Sequence, residues 1–492
     1  MGKDYQLFIG NESTQSANQE RLPAINPYTR EEWATVPVAS DEQVASAIAA
    51  ARHAYDTVWR KTGGKRRAEL MMRLAALIEA SAERMSVMET TDNGKVIRET
   101  HSQMHFAARC YRFFAGCADK IFGNTIPLDQ PNVFDFTRRE PLGVAVLITA
   151  WNSPISLLAN KLAPALAAGN CVVVKPSEHA SVTTLEFAEL MREAGFPPGV
   201  FNVVTGDHRT GQALLRNGRI DKLSFTGSPG VGRIVAGDAG RMLIPVTLEL
   251  GGKSPNIIFD DANIDQAVVG ALAGIFAATG QTCVAGSRLL VQRGIYRQVA
   301  EKLVERARRI RLGNPLDKTT DMGTAANEPQ FQRILKMIED AKGEGATVAT
   351  GGKQAVGEGL DRGFFIEPTI FTDVDNGMTI AQEEVFGPVL SMIPFDTEQD
   401  AIAIANATRY GLASGVWTTN LSRALRMSEA IEAGTVWINT YRTVSTMAPF
   451  GGFKESGFGK ERGVMALESY LRTKNVMIDF SEEDRDPFAI KT

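Results

Sequence analysis

Between residues 142 and 255 the sequence changes its hydrophobic period again and again, and this alternation restricts the possible folds more than any other feature. LGVAVLITA (142–150) is a continuous apolar run with β-branched residues, the pattern of a strand buried on both faces. SPISLLANKLAPALAAG (153–169) then places apolar residues at helical spacing and stops at a glycine, a C-cap signal. CVVVKP (171–176) reads as a strand and VTTLEFAELMREAG (182–195) as a helix. FNVVTG (201–206), a short helix and KLSFTG (222–227) continue the series. Strands alternating with helices of about a dozen residues build right-handed βαβ units and a parallel sheet covered on both faces.

The expected class is therefore α/β, with a Rossmann-like doubly wound domain whose ligand lies beyond the strand C-termini. A second alternating series follows residue 283. SRLLVQ (287–292), VLSMIPF (389–395) and SGVWTT (414–419) read as strands, and EGATVATGG (344–352) as a strand and turn. IYRQVAEKLVERARRI (295–310) reads as an amphipathic helix, and EQDAIAIANAT (398–408) separates the last two strands. The charged run ERARRIRLG (305–313) is expected on a solvated helix face. Residues before 120 look largely helical after a short strand-rich start. A chain of 492 residues exceeds one ordinary core, so a second α/β domain is expected.

Charge and cysteine usage exclude several functions. The net charge is −4, without the basic excess that nucleic acid demands. MGKDYQLFIG is polar where a signal peptide needs an apolar core, and Gln6 stands where myristoylation requires Ser or Thr. The apolar run AVVGALAGIFAAT (267–279) is too short to span a bilayer. The four cysteines form no CxxC pair, and with five histidines no zinc spacing arises. A reducing cytoplasm without structural disulfides or metal is expected.

Four short stretches carry chemistry. Cys283 lies among small uncharged residues in AATGQTCVAGS, and on its own is a nucleophile or a small packed hydrophobe. SFTGSPGVG (224–232) puts Gly227, Gly230 and Gly232 at a strand-to-helix turn, where backbone N–H groups can meet a phosphate, or where the chain simply turns. In KPSE, Lys175 and Glu178 stand at a strand end within reach of ribose hydroxyls, or the stretch is a solvent-exposed helix N-terminus with Glu178 in the capping region. Glu249 in LELGGKSP is a general base in an apolar setting or an exposed edge residue. Asn152 in AWNSP is an oxyanion donor or an N-cap.

Taken in order, Asn152, KPSE, FTGSPGVG, LELGG, GQTC, EEVFGP (383–388) and PFGGFKESGFGKERG (449–463) resemble the aldehyde dehydrogenase superfamily over nearly the whole chain. The resemblance implies that Cys283 attacks the aldehyde, that Asn152 and the Cys283 N–H form the oxyanion hole, and that Glu249 activates the hydrolytic water. It implies NAD as cofactor, with NADP less favoured because Glu178 repels a 2′-phosphate. Lys175 and Glu178 would hold the adenosine ribose, and Gly227, Ser228 and Gly232 the pyrophosphate. Glu384 would hold the nicotinamide ribose beside Phe386, with Ile148 and Trp151 flanking the cofactor. The implied domains are 1–120 with 141–250 for the cofactor, 251–450 for catalysis, and 121–140 with 470–490 as a small β module for a homodimer or homotetramer. Residues 451–469 would return to the core. Acylating relatives that pass the thioester to coenzyme A commonly lack the glutamate at the place of Glu249, so hydrolysis is favoured. Non-catalytic binding or structural proteins on this fold usually lose the cysteine or the cofactor residues, all of which stand here.

The sequence departs from the family where relatives that take apolar aldehydes carry aromatic residues. Ser153 and Asn160 follow the asparagine, and NTYRTVSTMA (439–448) offers Arg442 and Val444. Phe106 remains as an apolar wall. If Asn160 and Arg442 face the substrate, a polar, hydroxylated or semialdehyde substrate satisfies them where an apolar one leaves them unpaired.

Overall fold

Apolar β-branched runs become strands here because pairing satisfies their backbone while both faces take helices. The computed structural model describes residues 2–482 and Phe488. Five strands lie parallel in one sheet: Val144–Ile148, Cys171–Lys175, Phe201–Val203, Lys222–Thr226 and Val246–Glu249. Numbered along the chain, their spatial order is third, second, first, fourth, fifth. The order reverses between Val144–Ile148 and Lys222–Thr226, and that switch point opens a crevice at the strand C-termini. The sheet is extended at both margins by antiparallel strands, Gly457–Phe458 against Val246–Glu249 and Leu7–Ile9 against Phe201–Val203.

A second sheet has seven strands in the order Thr347–Thr350, Thr369–Thr372, Val389–Phe395, Arg288–Gln292, Pro255–Ile258, Ala413–Trp417 and Thr435–Ile438. All pairs but the first are parallel. One buried apolar cluster covers the first sheet, and two others cover the second. The helix expected over 295–310 ends at Ala307. Most of the charged run therefore lies beyond the helix, where Arg311 turns to Asp321 at 3.0 Å. An arginine-rich tail tolerates either state, so its composition did not mark the end.

A third sheet pairs Val133–Pro141 with Leu471–Asp479 antiparallel along nine residues, and Thr125–Ile126 adds to Val133–Pro141. Phe134, Met477, Ile478 and Phe480 on or beside these strands are exposed. Residues 483–487, 489 and 490 of the expected 470–490 segment lie outside the described residues. Among the described residues, no helix is long and apolar enough to cross a membrane.

Candidate active site

The residues proposed from the sequence for a dinucleotide gather along the crevice. Ile148 ends the first strand and Trp151 follows it; the Trp151 ring meets Phe386 edge-on at 5.2 Å. Helix Pro229–Met242 begins directly after strand Lys222–Thr226, with Ser228 as N-cap accepting from the Val231 N–H. The Gly227 N–H donates to the Glu249 carbonyl at 3.1 Å. A Cβ on Gly232 would lie 2.6 Å from Leu250, so glycine there lets the helix close on the sheet. Lys175 is buried, donates to the Pro176 carbonyl at 3.1 Å and lies 3.7 Å from Glu178. Burial holds its pKa below the usual lysine range. Helix Val182–Ala194 starts after Ser181, so Glu178 precedes the cap of that helix, and Lys175 is not at an exposed terminus.

Three segments distant in sequence stack backbone to backbone around Cys283. Gly280 adopts φ +68°, and a Cβ there would fall 2.0 Å from the Gly387 carbonyl oxygen. A Cβ on Gly252 would fall 2.4 Å from the Cys283 carbonyl oxygen. Glu384 accepts from the Gly252 N–H at 2.9 Å, which ties its carboxylate to the same stack. Only glycine permits such approaches, so LELGG, GQTC and VFGP place their glycines where the segments touch. Asn152 joins them from the first strand, its Nδ2 donating to the Gln281 carbonyl at 3.0 Å. Gln281 is itself anchored to the Thr324 carbonyl at 3.1 Å and the Ala326 N–H at 2.9 Å.

Burial governs the electrostatics. Glu249 is 3% exposed, and neither carboxylate oxygen has a hydrogen-bond partner among the described residues. The exposed edge alternative fails because Gly457–Phe458 pairs with Glu249 and Leu248 and Glu249 is buried. Burial, then the charge of Glu461, pushes the Glu249 pKa well above the carboxylate range. Glu461 is ion-paired with the fully buried Lys161, which also donates to Ser224 Oγ at 3.2 Å. The Cys283 thiol is pushed up to about 12 by burial and then by Glu249 and Glu384, while Arg462 pulls it down. Glu384 is raised to about 7 by burial.

Cys283, Glu249 and Asn152 line one cavity of about 660 Å³. Phe106, Ser153, Asn160, Arg442 and Val444 line it too. Phe106 comes from helix Ile97–Ala115 and Asn160 from helix Pro154–Ala168, which pack together. Arg442 donates to the Ala273 carbonyl at 3.1 Å, and Val444 is half exposed. Three further wall residues escaped the sequence reading. Lys95 donates to the Asn152 carbonyl and, at 2.6 Å, to Ser153 Oγ. Arg98 pairs with Asp321 at 3.2 Å. Arg462 meets Asn160 Oδ1 through Nε at 3.1 Å. Lys95 sits in the short connection after Asn93 and Arg98 in the first turn of helix Ile97–Ala115, neither with a local signal. Arg462 lay inside the motif GKERG, but only the fold turns it inward.

Residues 14–476 match the sequence model of the Aldehyde dehydrogenase family. An aldehyde dehydrogenase of Emericella nidulans is 46% identical over 472 residues, which are 96% of this chain and 94% of that one. The (Z)-2-((N-methylformamido)methylene)-5-hydroxybutyrolactone dehydrogenase of Acinetobacter baylyi is 44% identical across 99% of this chain and 100% of its own. The crystal structure of betaine aldehyde dehydrogenase from Staphylococcus aureus in complex with NAD+ is 38% identical with a TM-score of 0.97, covering 99% of this chain and 97% of that one.

Proposed function

The chain belongs to the aldehyde dehydrogenase family, and on that premise we propose that Cys283, Glu249 and Asn152 oxidise a polar aldehyde to its carboxylic acid. It is an NAD-dependent oxidoreductase acting on aldehydes. The observation that carries the residue assignment is one cavity lined by a cysteine, an orphaned buried carboxyl and a side-chain amide at the mouth of a doubly wound sheet.

The crevice suits a dinucleotide. Its glycine turn abuts a helix N-terminus, Lys175 and Glu178 stand two strands away across Val144–Ile148, and Glu384 faces Gly251 and Gly252. Glu178 favours NAD over NADP by accepting from a ribose 2′-OH. Bound NAD+ supplies the hydride acceptor for the oxidation. The protein does the rest. Cys283 Sγ adds to the aldehyde carbon as a thiolate, giving a tetrahedral thiohemiacetal. The Asn152 amide and the Cys283 N–H face its oxyanion; one such donor is worth about 3–4 kcal/mol. Oxidation leaves a thioester on Cys283. Glu249, once ionised, takes the proton of the attacking water, and the acid departs as the thiol is restored. Its presence favours water over coenzyme A as the acceptor.

Ser153, Asn160 and Arg442 on the wall support a hydroxylated or semialdehyde substrate. The antiparallel sheet with exposed Phe134, Met477 and Ile478 supports pairing with a second copy, as a homodimer or homotetramer. A division into cofactor, catalytic and oligomerisation domains at 1–120 with 141–250, 251–450, and 121–140 with 470–490 follows the same reading, as does a reducing cytoplasmic setting for Cys283. NADH formation followed by absorbance with a panel of aldehydes tests the activity. Cys283→Ala should abolish it while NAD+ binding persists; substantial residual turnover would refute the assignment.

A further inference from the structure

Arg462 occupies an unusual position. Its backbone holds φ 61° and ψ 171°, a combination nearly confined to glycine, immediately before helix Gly463–Glu468. That backbone carries the side chain into the cavity wall, where the guanidinium lies 5.0 Å from the Phe106 ring centre and 4.8 Å from that of Phe450. Asn160 Oδ1 fixes Nε at 3.1 Å. Among the described residues, neither Nη1 nor Nη2 has a hydrogen-bond acceptor, and no carboxylate pairs with the group. Two rings and one amide thus orient the fork and leave its donors free, an arrangement suited to bidentate recognition of a carboxylate.

The charge around it has the matching sign. Lys95 donates only to neutral oxygens, Gln103 Oε1, the Asn152 carbonyl and Ser153 Oγ. Arg442 donates only to the Ala273 carbonyl. Of the wall carboxylates, Asp321 is paired with Arg98 and Glu461 with Lys161. Burial raises the Glu249 pKa, and Glu99 accepts from the Ala278 N–H at 2.9 Å. The cavity therefore presents three cations without anionic partners, Lys95, Arg442 and Arg462, against two carboxyl groups without a cationic partner, Glu99 and Glu249. Arg462 is the one whose charge is felt at both Cys283 and Glu249.

We propose that Arg462, fixed by Asn160 between Phe106 and Phe450, binds the carboxylate of the substrate, so that the aldehyde this enzyme takes is a short oxo acid. The proposal rests on the oxidation assigned above to Cys283 and narrows its substrate. The test compares kcat/KM for 4-oxobutanoate and butanal in the wild type, Arg462→Leu and Arg462→Lys. The wild type should favour 4-oxobutanoate. Losing a charged hydrogen-bonding partner should lower that ratio by about 10- to 100-fold in Arg462→Leu, mainly through KM. Arg462→Lys, which keeps the charge without the fork, should fall part-way and guards against a leucine variant that does not fold. Succinate should compete with the aldehyde in the wild type and lose at least about tenfold in affinity in the variants. A wild type that prefers butanal, or a ratio unchanged in both variants, overturns the carboxylate site while leaving the oxidation intact. Absence of Cys283-dependent NADH formation from either aldehyde overturns the parent assignment and this site with it.

Discussion

In the free protein Cys283 should be a sluggish nucleophile, and the amount can be worked out. Its thiol is pushed up to about 12 from 9.0, chiefly by burial. At pH 7.5 that leaves about a thousandfold less thiolate than an ordinary thiol, and only the thiolate reacts. A more basic thiolate is a better nucleophile, which returns about 20-fold in exchange with a disulfide. The net expectation is reaction with a small neutral aromatic disulfide about 50-fold slower than a model thiol. The rate should climb tenfold per pH unit to at least about pH 10. Mass spectrometry separates Cys283 from Cys110, Cys171 and Cys117, whose thiols are raised as well. A rate at Cys283 that levels off below about pH 9 would refute the reasoning, because burial would then not dominate the site. The gap between about 12 and 9.0 amounts to about 4 kcal/mol. The assembled complex has to remove it, and the nearby Arg462 charge already works in that direction.

Glu249→Gln should slow steady-state turnover by about 100-fold or more while an initial burst of NADH survives, since general-base help is lost at hydrolysis; rapid-mixing absorbance reads both, and a vanished burst would move Glu249 to the first step. Gly280→Ala places a Cβ against the Gly387 carbonyl at a φ that only glycine holds cheaply, so a loss of about 2–4 kcal/mol in a urea melt and strongly reduced activity are expected; near-native stability would contradict the close approach. Burial raises Glu89 to about 7 and Asp92 to about 8, from 4.5 and 3.8. Both folded-state values lie above the unfolded ones, so this contribution to stability is full below about pH 4 and is lost as pH rises towards 8. A Glu89→Gln/Asp92→Asn variant should show a flatter decline of the urea midpoint between pH 5 and 8, and an unchanged slope would show that the two carboxyls ionise normally.

Much of the first sheet was legible because its signals are local. The strands around 144–148, 171–175 and 222–226 and the helices between them announce themselves by period and by terminal glycines. Cys283, Glu249 and Asn152 could be picked out only by the order of their motifs, since each residue alone admits a bland role. The burial of Glu249 was not readable at all. It depends on Gly457–Phe458, about 200 residues away, pairing along its strand. Arg462 was invisible for a similar reason: a charged residue in a glycine-rich run reads as solvated, and its inward turn comes from a backbone conformation that sequence does not announce. The end of the helix at Ala307 was missed because arginines are equally at home in a last turn and beyond it.

The contacts of Gly252 with Cys283 and of Gly280 with Gly387 divide the site into a part that can be inherited and a part that can be rewritten. The segments that carry Cys283, Glu249 and Glu384 share a single backbone-to-backbone joint, so the backbone of one cannot shift without moving the others. The outer wall comes instead from helix Ile97–Ala115, the cavity-facing Ser156, Leu157 and Asn160 of the otherwise buried helix Pro154–Ala168, the loop around Arg442 and the Arg462 side chain. Substrate range is therefore the transplantable property of this architecture. Exchanging those wall segments between relatives should carry selectivity across while the chemistry stays with the recipient.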